Sequence, residues 1–123
     1  MIINKKTNGG KYQRSTLEVK FEKLWQQLAP DLDLVVEQTL IPGTKYRTDY
    51  LHEKTKIAIE VHGGQYLKHG GHVGKGATTD AIKQNNLVQL GYLPFVLWTS
   101  MVRKKYIIEI RDYIRRCLNG NNG

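Results

Sequence analysis

The sequence is poor in cysteine, proline and acidic residues, and it has no long apolar run. Cys117 is the only cysteine among 123 residues. That excludes an internal disulfide and a multi-cysteine zinc site, and it suits a reducing compartment. With only three prolines no Pro-rich linker divides the chain, whose length fits one domain. No hydrophobic stretch approaches the roughly 18 residues of a membrane-spanning helix. The opening Met1-Ile2-Ile3-Asn4-Lys5-Lys6 lacks the apolar core of a signal peptide, so a cytoplasmic protein is expected. Eleven Asp and Glu face nineteen Lys and Arg, leaving a net charge of +8. Such an excess on a small domain favours a polyanionic partner, and nucleic acid is the commonest one in a cytoplasm.

Periodicity divides what is present. Residues 1–14 are polar and basic without a repeat, and read as a flexible basic arm. Ser15 and Glu18 have the spacing of a capping box. Leu17, Phe21, Leu24, Trp25 and Leu28 then form the apolar stripe of a first helix that stops before Pro30. Three β-rich runs follow: Leu34 to Leu40, Tyr46 to Leu51, and Lys56 to His62. The short polar link between the last two predicts a hairpin pairing His52 with Thr55. Residues 63–76 hold six of the twelve glycines, with Lys68, His69, His72 and Lys75, and read as a long irregular loop. A second helix is expected from Thr78 or Thr79 to Gly91, and an edge strand from Tyr92 to Thr99 carrying Pro94. A last helix, capped by Thr99 or Ser100, carries Val102, Tyr106, Ile110, Ile114 and Cys117/Leu118 on one face and ends at Asn119-Gly120. The order predicts a single α/β domain over 15–119, a mixed four-stranded sheet flanked by helices, and a frayed tail at 120–123.

Acidic residues fall on this frame in a pattern. In the expected register Asp49 faces Ala58 and Arg47 faces Glu60, so Asp49, Ala58, Glu60 and His62 share one face. Asp49 and Glu60 are then diagonal neighbours roughly 7–8 Å apart. Two carboxylates at that spacing can ligate one divalent cation. Glu60 sits in the apolar run Ile57-Ala58-Ile59-Glu60-Val61, where a charge is costly unless paired. On the second helix Asp80, Lys83, Leu87 and Leu90 fall on one side, apolar at its C-terminal end and polar at its N-terminal end. Glu18 can close the capping box or reach the sheet as a third acid.

Taken in order, these motifs resemble the PD-(D/E)XK nuclease superfamily, and most closely its small branch related to very-short-patch-repair and phage-encoded endonucleases. The resemblance is carried by Ser15 and Glu18 on the first helix, Tyr46-Arg47-Thr48-Asp49, and Ile57-Ala58-Ile59-Glu60-Val61-His62-Gly63-Gly64. The His/Gly/Lys loop, Asp80 with Lys83 and Asn85, and the strand Gly91 to Leu97 follow. It spans about residues 15 to 102 and implies an αβββαβ, restriction-endonuclease-like core plus a C-terminal helix. Two positions depart from the motif: Thr48 stands where it has proline, and His62 where it has the lysine that orients or activates the attacking water. Either His62 or Lys83 would take over that work. Glu18, Asp49, His62 and Asp80 also match a variant pattern of phage homing-type enzymes.

The resemblance implies Mg²⁺-dependent hydrolysis of DNA phosphodiester bonds, with Mn²⁺ as a substitute. Asp49, Glu60 and the Val61 carbonyl would hold the metal, with Glu18 helping directly or through water. His62 would position or deprotonate the water, and Lys83 would offset phosphate charge. Asp80 would hold a histidine or a second cation. Lys68, His69, His72 and Lys75 would track the DNA backbone, and a homodimer would let both strands be cut. Arg103, Lys104, Lys105, Arg111, Arg115 and Arg116 make the last helix basic, as a solvated face or a phosphate-binding one. Two rival readings are a zinc-dependent hydrolase built on His62, His69 and His72, and a DNA-binding module without catalysis. A P-loop is excluded because Gly76, not Ser or Thr, follows Gly74-Lys75.

Overall fold

The computed structural model describes residues 1–3, 14–44, 47–63 and 70–120, with 37–38 and 70–77 as backbone alone. The elements are β1 (Ile2–Ile3), α1 (Thr16–Leu28), β2 (Leu34–Thr39), β3 (Arg47–His52), β4 (Ile57–His62), α2 (Gly70–Gln89), β5 (Leu93–Trp98) and α3 (Lys104–Leu118). A 3-10 turn, Thr99–Met101, joins β5 to α3. They build a small α/β domain around an open mixed sheet in the order β1-β2-β3-β4-β5. The pairs β1–β2 and β4–β5 are parallel, and the two pairs between them are antiparallel.

Period-two alternation assigns the two faces of the sheet. Tyr50, Ile57 and Ile59 point into one core with Phe21 and Trp25 of α1 and Ile107, Ile110 and Ile114 of α3. The opposite face carries Asp49, Leu51, Ala58, Glu60 and His62, and α2 covers it through Leu87 and Lys83. A parallel β4–β5 pair needs a crossover connection, and α2 supplies it. The start of α1 follows from its cap: Ser15 Oγ accepts from the Glu18 amide and Glu18 Oε1 accepts from the Ser15 amide, both at 3.1 Å. At its far end Trp25 Nε1 donates to the Leu32 carbonyl at 2.9 Å, tying the helix to the approach of β2.

Four expectations are corrected. The sheet has five strands, not four, because Ile2–Ile3 pairs with Leu34 and Val35 where a basic arm is expected; residues 4–13 of that segment lie outside the described residues. The hairpin register lies two residues further on, with Leu51 across from Ala58 and His52 across from Ile57. A two-residue Glu53-Lys54 loop would need positive φ angles that these residues resist. Glu53 to Lys56 make a longer loop instead, with only Lys56 left-handed at φ 60° and His52 Nδ1 within 2.7 Å of Thr55 Oγ1. A two-residue shift preserves the face, so Asp49 and Glu60 stay on one side of the sheet, each the next residue beyond the Tyr50–Ile59 pair. Third, α2 begins at Gly70 rather than at Thr78 or Thr79. Glycine costs about 1 kcal/mol per helical position, which is why the sequence reads there as loop, yet propensity is a weak prior against tertiary context. Fourth, Thr99 and Ser100 do not cap α3; they lie in the 3-10 turn, and α3 starts after Arg103 without a side-chain cap.

Ser15→Ala removes the acceptor for the Glu18 amide. It should lower unfolding free energy by about 1 kcal/mol in urea denaturation, while Thr16→Ala beside it should change little.

Candidate active site

The site lies where β3 begins and β4 ends, at the edge of α2. Glu60 occupies a central strand between β3 and β5, and its side chain is only 3% exposed. A carboxylate there must be paired. Lys83 provides the partner: its Nζ donates to Glu60 Oε1 and, at 2.6 Å, to the Arg47 carbonyl. The lysine side chain is itself 13% exposed, so the pair is shielded from solvent, and α2 is pinned to both β3 and β4.

Asp49 stands across the strand gap. The backbone ladder between β3 and β4 is described up to Tyr50 and Ile59, and beyond it the Val61 amide donates to Asp49 Oδ2 at 2.8 Å. Burial pushes the Asp49 carboxyl up to about 6, the charges of Glu18 and Glu60 add to the rise, and the Val61 amide and Lys83 oppose it. Glu18 closes the capping box of α1, and its charge adds to the rise at Asp49. His62 follows on the same face, with Nε2 3.8 Å from Glu60 Oε2. Its ring lies 5.2 Å from that of Trp98 on β5.

Asp49, Glu60, Val61, His62 and Lys83 are therefore brought together, with Glu18 at the rim. Asp80, half-buried one turn before Lys83, makes no hydrogen bond or ion pair with them among the described residues. Lys68 and His69 lie outside the described residues, and His72 and Lys75 are described only as backbone in the first turns of α2. The three-histidine zinc arrangement thus falls outside what the structure describes. Three features beyond these residues escape a reading of the sequence, and one of them, Glu22, lies on the core face. The Arg47 carbonyl carries no sequence signal. Glu22 is buried, accepting from Tyr50 Oη at 2.7 Å and from Arg14 at 2.6 Å; its place about 60° from Trp25 on the α1 wheel marks an acid at the apolar side. Trp98 reads in the sequence only as part of a strand.

The donors suit a hard divalent cation. Among the described residues no three His, Cys, Asp or Glu side chains are grouped to hold a metal by themselves. Mg²⁺ asks for less, since one or two carboxylates with water and substrate phosphate suffice. Asp49, Glu60 and the Val61 carbonyl offer that set.

No protein-family model, curated protein or solved structure matches this chain. Its own residues and their geometry carry the functional reading.

The Asp49 shift has a consequence for stability. A carboxyl with a higher pKa folded than unfolded binds its proton more tightly in the native state. Its favourable contribution is full below the unfolded value of 3.8 and is lost as pH rises through about 6. In chelator, Asp49→Asn should therefore be more stable than the parent at pH 8, by on the order of 1–3 kcal/mol. The advantage should shrink below pH 5, as read by urea denaturation across that range.

Proposed function

We propose that this chain is a metal-dependent DNA endonuclease with a PD-(D/E)XK-like mechanism on a restriction-endonuclease-like core. One observation carries the reading: Asp49 accepts from the Val61 amide, the residue after Glu60, and Lys83 from the next helix is bonded to Glu60. Buried acids across a strand gap, with a lysine delivered from the next helix, are a costly arrangement that packing does not require. The net charge of +8 supports a polyanionic substrate.

In this reading Asp49, Glu60 and the Val61 carbonyl hold Mg²⁺, or Mn²⁺ in its place. A cation held there would supply polarisation of the scissile phosphoryl group and a more acidic water. His62 lies at the position where the superfamily carries lysine. Its imidazole, with Nε2 3.8 Å from Glu60 Oε2, would position the attacking water or accept its proton. Lys83 is fixed at its head by Glu60 and the Arg47 carbonyl, so its charge is already in place when negative charge grows on the phosphate. Glu18 would contribute to the metal site directly or through water.

The experiment is nicking of supercoiled plasmid in Mg²⁺, Mn²⁺ and chelator. Wild type should nick with either metal and not in chelator. Asp49→Ala or Glu60→Ala should lose more than the roughly 10–100-fold that removal of an outer-shell partner costs. Lys83→Met should lose about 100-fold in kcat, with a smaller change in KM. Circular dichroism confirms the fold of each variant. Full activity in Asp49→Ala overturns the proposal, and tight DNA binding with no cleavage in either metal replaces it with a binding module.

A further inference from the structure

The end of the sheet that carries the acids also carries an aromatic surface that the proposed chemistry leaves unused. β4 and β5 run parallel, with His62 in register with Trp98. Neighbours in register share a face, and the two rings lie 5.2 Å apart at an angle of 39°. Trp98 remains 38% exposed, whereas Trp25 is fully buried. A partly exposed indole leaves apolar area in water that folding would favour covering.

Cations follow directly. Val102 anchors the turn after β5 in the core, and Arg103, Lys104 and Lys105 are then exposed in succession. No acidic residue stands in the first turn of α3, and cations at a helix start oppose the macrodipole. Helix stability does not account for their position. Arg103 and Lys105 lie 5.8 and 5.4 Å from the Tyr106 ring. A partly exposed aromatic followed within seven residues by three exposed cations is a composition that suits an unstacked base and its flanking phosphates.

We infer that Trp98 is a stacking residue, and that the substrate class is DNA with a locally unpaired nucleotide beside the scissile phosphate. Arg103, Lys104 and Lys105 contact the adjoining backbone. The cleavage part of this inference rests on the nuclease reading; the binding part does not. In an intact duplex each base face is covered by its neighbours, so a base must be unstacked before Trp98 has a face to meet. A bulged, gapped or single-stranded nucleotide offers that face at little cost. Because Trp98 packs on His62, a base stacked there holds its backbone alongside the ring that would position the water or accept its proton.

The two tryptophans make this measurable without metal. Trp25 is inaccessible, so quenching of tryptophan fluorescence on DNA binding reports Trp98. Titrations in chelator compare an intact duplex with the same duplex carrying one unpaired nucleotide. Wild type should bind the second about tenfold more tightly and with quenching. Trp98→Ala should abolish that preference, Trp98→Phe should retain most of it, and both should lose the quenching. Equal affinity of wild type for the two duplexes, or an undiminished preference in Trp98→Ala, overturns the inference. Replacing Arg103, Lys104 and Lys105 with Gln should flatten the salt dependence of binding, and an unchanged slope removes them from the interface. Cleavage is scored separately in Mg²⁺. A binding preference without cleavage overturns the nuclease reading and keeps the stacking role, whereas cleavage without preference does the reverse.

Discussion

Glu60 is buried on an interior strand of the sheet, and a carboxylate in that position has to be neutralised before the domain can close. Lys83 does so by reaching from α2 to Glu60 and to the Arg47 carbonyl. The contact sets the position of α2 against β3 and β4 more definitely than Leu87 packing alone, because an unpaired buried charge costs several kcal/mol, more than a misfitted apolar contact. It also fixes which groups lie nearby. The parallel crossover that brings α2 back over β4 leads on to β5, and β5 carries Trp98 to His62. Pairing one buried acid thereby gathers residues from the second half of the chain at one end of the sheet.

The apolar skeleton is legible in the sequence to within a residue or two. The capping box and stripe of α1, the three β-runs, the edge position of β5 and the buried Ile110 and Ile114 all follow from periodicity, since apolar burial repeats with the geometry of its element. The register of the β3–β4 hairpin is not legible in the same way. A two-residue slip keeps every side chain on its face, so alternation cannot detect it; the loop geometry at Lys56 decides. The extent of α2 is hidden for a different reason. Its first turns hold Gly70, Gly71, Gly74 and Gly76, and local propensity there opposes the structure formed.

For the site, residue type is more informative than distance. An acid in an apolar strand and a polar end on an amphipathic helix make Glu60 and Lys83 anomalies in the residue pattern alone. What the sequence withholds is what backbone does: the Arg47 carbonyl under Lys83, and the Val61 amide on Asp49. Neither carries a side-chain signature, yet both fix the orientation of a charged group. Trp98 is hidden because an aromatic in a strand ordinarily means core, and only the exposure of the folded residue separates the two meanings.

A tension in the electrostatics ties these observations together. The molecule carries +8, a charge that favours a polyanion at ranges set by the Debye length. Its candidate centre is locally acidic, and Asp49 is already held near 6 by burial and neighbouring acids. A phosphate guided to the domain would meet repulsion at Asp49, Glu60 and Glu18, with Lys83 alone too little to reverse it. A divalent cation resolves the conflict, since it is attracted to the acids and in turn attracts the phosphate. Under the proposed function the basic surface and Trp98 would supply affinity, and the acids would supply a place for the cation. Under that reading the separation would let DNA bind without metal and react only with it, so that binding and cleavage are separable measurements.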